Sequence, residues 1–426
     1  MGKNKITAAQ FSKEDYDLFT KTYEPFRQKS KNTLTIILMI VCILIGGSFG
    51  CFGATFSSKL KRVDRSASMW AIFVFAASVL VLSLVAIIVH EAGHLVFGLL
   101  TGYRFLSFRI FSMVFFKQDG KLVRKKLHIP GTAGQCLMLP PDWEEGKPYP
   151  YALYNLGGGL ANLIFSVLFL PLLLFRNTYV TIAVITNLVF GIYFALTNLI
   201  PLSKPIFNDG KNGKCCKTIP GCLRSWYVNL MIVAELYRGK EYDEFSEDLF
   251  RIDDDAPLNN TLNVGVLYYK YLHDLLLGRR SEADAILLRL EQHTEEIPNQ
   301  MMILIACERF CKLLTERAPL PKIAAYYSYI AQTFQINRTD IMLARVKVLM
   351  GACLTEKEQL EMDNYQKSIK KNNVPFKPVT REGALNEMNR IISKIPSTGE
   401  VGSEKKILNY YLSLIDSAEN GDTVSQ

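Results

Sequence analysis

Four stretches of this 426-residue chain carry no charged residue: 32–58, 69–89, 148–175 and 177–203. Each is long enough to cross a bilayer, which takes about 20 apolar residues. The first lies behind a polar segment of about 30 residues, too deep for a cleaved secretory signal. The second continues in helical pattern through Glu91 to Leu100, so it carries an acidic residue near its end. The third and fourth are separated by one charge, Arg176, and read as a tight helical hairpin. The fold class expected is therefore an α-helical polytopic membrane protein with four transmembrane helices, at 34–56, 69–100, 151–175 and 178–203.

Charge divides the chain in two. Residues 1–203 hold 20 of the 49 Lys and Arg and 10 of the 40 Asp and Glu, a net +10, and the remainder is close to neutral. A nucleic-acid binder would place its basic excess on the polar half, so no nucleic-acid partner is expected. Nine Cys are too sparse for a disulfide framework. Cys215, Cys216 and Cys222 cluster in a Gly/Lys-rich segment without a CxxC pair and read as ordinary thiols.

Lys and Arg also orient the spans. With the N-terminus inside, residues 1–31 and 102–150 bring 7 and 8 basic residues to the cytoplasm, against 4 in 57–68 and Arg176 outside. Both termini are then cytoplasmic, and the expected place is the plasma membrane of a bacterium. Between the second and third spans, apolar residues flank Gln118-Asp119-Gly120, a hairpin signal over about 105–129 that lies against the membrane. Residues 216–261 read as an amphipathic connector, 262–418 as a cytoplasmic α-helical array with TPR-like pairing but no clean repeat, and 419–426 as a frayed tail. Such arrays present concave surfaces to a protein or peptide.

His90-Glu91-Ala92-Gly93-His94 is an HExxH pattern. On a helix, positions i and i+4 share a face, so His90 and His94 can offer two ring nitrogens to one Zn²⁺, with Glu91 beside them near a water on the metal. Two imidazoles and a carboxylate inside a spanning helix are unfavourable without compensating charge, and a divalent cation supplies it. A catalytic zinc usually has three protein ligands, so the third must come from elsewhere. Asp209 is the first acidic residue after the third and fourth spans.

These residues resemble a known family, the site-2 proteases, which are intramembrane zinc metalloproteases. HEAGH ends a membrane helix; Gly158-Gly159-Leu160-Ala161-Asn162 is similar to the family's Gly-Pro-x-x-Asn; Asn198-x-x-Pro201 followed by Asp209-Gly210 is similar to its Asn-x-x-Pro…Asp-Gly. Gly159 stands where the family usually has Pro, and the gap from Pro201 to Asp209 is longer than the common form. The resemblance spans about 69–215, within a metalloprotease core placed at 32–215. It implies one Zn²⁺ bound by His90, His94 and Asp209, Glu91 as general base, and Asn162 as a polar group for substrate. It also implies a zinc endopeptidase acting on a membrane-embedded protein or peptide precursor. A helical substrate must be unwound to react, and apart from the resemblance the hairpin at about 105–129 is expected to offer an edge strand to the unwound segment. The alternative is a catalytically silent membrane scaffold that binds proteins through its array.

Overall fold

In the computed structural model, the described residues are 11–26, 65–118, 120–129, 132–201, 207–336, 340–369 and 376–420. The membrane-side helices are preceded by α1 (Lys13–Tyr23) and begin with α2 (Arg65–Leu100). Four strands follow: β1 (Arg104–Ile110), β2 (Met113–Gln118), β3 (Lys121–Lys126) and β4 (Gly134–Leu139). Then come α3 (Ala152–Leu168), extended by a 3₁₀ turn to Phe175, α4 (Thr178–Leu199), α5 (Asp209–Thr218) and α6 (Cys222–Tyr237). The rest is helical: α7 (Thr261–Leu276), α8 (Arg280–Gln292), α9 (Asn299–Thr315), α10 (Leu320–Ile336), α11 (Ile341–Cys353), α12 (Glu356–Ile369), α13 (Arg381–Ile392) and α14 (Thr398–Asn420).

The chain forms two compact units. One comprises 29–110 and 133–218; the other joins 1–28, 111–132 and 219–426. In the first, three helices are long and apolar enough to cross a membrane: Met69–Leu100, Ala152–Phe175 and Thr178–Leu199. The expected span at 34–56 lies outside the described residues. Met69, Ile72, Leu80 and Leu100 are each more than 60% exposed. So many bare apolar side chains along one helix need lipid rather than water around them.

Small residues bring these helices together. A Cβ on Gly93 would collide with the Gly157 carbonyl, so α2 and α3 touch backbone to backbone there. Ser166 Oγ, on α3, donates to the carbonyls of Asn162 (2.9 Å) and of Asn187 on α4 (3.2 Å). In the same unit β1 pairs antiparallel with β4 across Arg104↔Leu139 to Ile110↔Gly134.

The second unit is built on the helical array, where the helix-length sequence patterns at about 262–277, 281–293, 299–317, 320–334, 338–350, 355–371 and 380–393 are matched by the seven helices α7 to α13. Three features of this unit add to the sequence reading. Helix α14 is an additional, eighth element. Residues 11–26, within the polar N-terminal segment, pack on the array: the Phe11 and Phe19 rings lie 3.9 and 5.0 Å from that of Tyr365 on α12, and Phe26 lies 4.8 Å from Tyr329 on α10. The β2–β3 hairpin packs Val114, Phe116 and Leu127 with Tyr237 of α6. Lys125 Nζ donates to the Ile395 carbonyl at 3.0 Å. Cys215 and Cys216 in the first unit and Cys222 in the second are all buried.

Candidate metal centre

His90 and His94 stand one turn apart on α2, and their Nε2 atoms lie 3.2 Å from each other. Asp209 Oδ2, from the first turn of α5, is 3.5 Å from His90 Nε2 and 3.4 Å from His94 Nε2. The three atoms form a nearly equilateral triangle. A tetrahedral ion with bonds of about 2.1 Å has ligand–ligand edges of about 3.4 Å, so the triangle is one face of such a tetrahedron. Among the described residues, these three form the one group of His, Cys, Asp or Glu that could hold a metal ion. Asp209 Oδ2 is buried and has no hydrogen-bond donor among the described residues. A buried anionic oxygen facing two imidazoles is the donor set that a divalent cation completes.

The rings are oriented from behind. His94 Nδ1 lies 2.8 Å from the Tyr154 carbonyl, which accepts from Nδ1–H and leaves the Nε2 lone pair facing the triangle. His90 Nδ1 lies 3.4 Å from the side-chain amide of Asn162, a residue only 1% exposed. With the amide turned so that Oδ1 faces the ring, Asn162 does for His90 what the Tyr154 carbonyl does for His94. The structure thus places Asn162 on the side of the ring away from Nε2.

Asp209 is reached by elements the motif reading passed over. Asn208 caps α5 by accepting from Lys211 N at 2.9 Å. Its amide donates to the carbonyls of Thr197 (2.7 Å) and Ile200 (2.6 Å), fastening α5 to the end of α4. Asn155, buried on α3, donates to the Asp209 carbonyl. Burial alone would raise the Asp209 carboxyl, but its contacts with His90 and His94 outweigh that and bring it to about 2. Asp209 is therefore ionised near neutral pH.

Glu91 is buried beside the triangle without belonging to it. Its carboxylate lies against Gly134 at the start of β4, where a Cβ would collide with Oε1. Arg109 on β1, 1% exposed, donates from Nη2 to the Gly134 carbonyl at 3.1 Å and contributes a positive charge near Glu91. Gly158 closes the other side. A Cβ there would stand 2.6 Å from both His94 Nε2 and His90 Nδ1, inside van der Waals contact. Gly158→Ala is expected to displace the rings and lower bound metal from one ion per chain to well under half. Metal analysis of the purified variant checks this, with Gly159→Ala, whose Cβ meets only the flexible Leu199 side chain, as control.

No known family, curated protein or solved structure matches the chain at a significant level. The functional reading therefore stands on the residues and their geometry.

Proposed function

We propose that this chain is a multi-pass membrane zinc endopeptidase, similar to the site-2 proteases, that hydrolyses a peptide bond in a membrane-embedded segment of a protein or peptide. The observation that carries the reading is the His90–His94–Asp209 triangle with Glu91 as the next side chain on the same helix. When bound, the ion supplies Lewis acidity: it lowers the pKa of water toward neutrality and polarises the scissile carbonyl. Glu91 takes a proton from the attacking water as its oxygen bonds to the carbonyl carbon, and returns a proton to the leaving amine as the C–N bond breaks. His90, His94 and Asp209 hold the ion, and the Tyr154 carbonyl and Asn162 hold the rings.

A helical substrate hides its amides in its own hydrogen bonds and must be unwound to react. The edge closest to Glu91 belongs to β4, not to the 105–129 hairpin: β4 pairs on one side with β1, and no strand covers its other side among the described residues. An unwound segment added there would run from Gly134, against the Glu91 carboxylate, to Leu139. The test of the reading is a comparison of membranes holding the wild type or Glu91→Gln. Polypeptides that accumulate only in the variant are the substrates; identical membranes would remove the enzymatic reading and favour the silent scaffold.

Packing within the second unit supports the four-span topology. Residues 11–26, the β2–β3 hairpin and the array are packed together, so they share one side of the bilayer. Between the hairpin and α6 lie two crossings, α3 and α4, which preserve the side. Between residue 26 and β2 the described residues hold only α2, an odd number. Parity calls for one more crossing, and the charge-free run 32–58 is its sequence candidate. Alkaline phosphatase fused after residue 62 should be active in a bacterial host, and fused after residue 120 inactive. An inactive fusion at residue 62 would refute the added crossing.

A further inference from the structure

The β2–β3 hairpin has two unlike faces. Strand alternation, with the register Met113↔Lys126, Phe115↔Arg124 and Lys117↔Leu122, puts these six side chains on one face. The opposite face holds Val114, Phe116, Val123 and Lys125 and is spent on the array: the first three join the cluster with Leu127 and Tyr237, and Lys125 reaches the Ile395 carbonyl. The six-residue face has no such cover. Leu122 is 66% and Met113 46% exposed, and Lys117, Arg124 and Lys126 are exposed as well. None of these three cations forms an ion pair among the described residues, and no carboxylate stands on the face. Three cations alternate with three apolar side chains.

This pairing of charges and apolar groups selects among partners. A soluble anion or an acidic nucleic-acid backbone would match the cations but leave Leu122 and Met113 in water, with Phe115 half-buried between the cations. A neutral apolar groove would match the latter and strand the former. An anionic lipid headgroup layer matches both, since phosphates meet the cations while the apolar side chains enter the acyl boundary. The hairpin is also tied to the bilayer by its own chain, with the candidate span ending at Leu100 before it and the next beginning at Ala152 after it.

We infer that the Met113/Phe115/Lys117/Leu122/Arg124/Lys126 face of the β2–β3 hairpin is a docking surface for anionic phospholipid headgroups, which seats the helical array on the membrane. The inference rests on the bilayer reading of the chain and is independent of whether it hydrolyses anything. It adds to that reading a preference among lipids.

The test uses the full chain in nanodiscs of phosphatidylcholine alone or with phosphatidylglycerol, read by hydrogen–deuterium exchange across 113–126. Uptake there is expected to be at least about threefold slower with phosphatidylglycerol, and high salt should remove the difference by screening the cations. The variant K117Q/R124Q/K126Q should lose the difference. Its uptake across 341–350, in the array core, should stay that of the wild type, showing that the unit remains folded. Equal uptake in the two disc types would overturn the inference, as would a triple variant that keeps the full lipid effect. Slower uptake caused by a soluble acidic peptide in phosphatidylcholine discs, with none from phosphatidylglycerol, would overturn it in favour of a protein partner. If the spans failed to enter discs of either kind, the bilayer reading itself would fall, which separates the two.

Discussion

Glu91→Gln is expected to retain one zinc ion per chain while cleavage of membrane substrates falls by at least about 10²–10⁴-fold, the usual contribution of a general base. The two losses separate because Glu91 lies outside the ligand triangle. Glutamine keeps the shape that packs against Gly134 but cannot accept a proton at neutral pH. Asp209→Ala gives the converse pattern, with metal lost first and activity lost as a result. Metal content by mass spectrometry, together with accumulation of uncleaved polypeptides, distinguishes the variants. Normal cleavage by Glu91→Gln would eliminate its proposed role, and a metal-free Glu91→Gln would make it a ligand instead.

Arg345→Met is expected to destabilise the array by about 3–5 kcal/mol, the usual cost of removing one partner from a buried ion cluster. Arg345 on α11 is fully buried. Its Nε donates to Glu404 on α14 at 2.6 Å, and its Nη2 to Glu308 on α9 at 2.6 Å. Tyr268, from α7, donates its hydroxyl to Glu308 at 3.1 Å. Four helices therefore meet at one guanidinium. Methionine fills much of the volume but leaves two carboxylates facing each other in an apolar core. Lysine should not rescue, because its point charge cannot serve two carboxylates with the geometry of the planar fork. A fall in Tm of roughly 10 °C or more for the cooperative unit is expected. Adding Glu308→Met and Glu404→Met should restore most of it, since apolar replacement of a whole buried ion cluster is often neutral or stabilising. A single variant with unchanged Tm would mean the cluster is not buried as described.

Three of the four expected spans, as apolar helices, and the pairing of the two histidines could be read directly, because lack of charge over about 20 residues and the i, i+4 spacing are local properties. Asp209 was legible as a candidate only. Nothing local says that a residue more than a hundred positions from His94 returns to within 3.4 Å of it. That closure depends on Asn208 and Asn155, whose roles appear only once α3, α4 and α5 are assembled. Strand β4 was missed because Gly134-Gln-Cys-Leu-Met-Leu139 has no β-branched residue and runs into Pro140-Pro141. Helix α14 was missed because its buried face includes Ser403 and Glu404, which interrupt the apolar stripe. The docking of residues 11–26 did leave a trace: Phe11, Phe19 and Phe26 recur about every two helical turns, a pattern hidden by the charges between them.

The second unit is assembled from three separate pieces of chain, 1–28, 111–132 and 219–426, with the membrane segments threaded between them. A ribosome makes the first piece long before the last. The aromatic rings of 11–26 and the apolar face of the hairpin therefore wait without partners until the intervening segments have been inserted and the array has been synthesised. A chain that stops early, or inserts one helix the wrong way round, leaves those surfaces bare for chaperones and proteases. Completion of the second unit thus depends on correct placement of the apolar helices that come between its pieces.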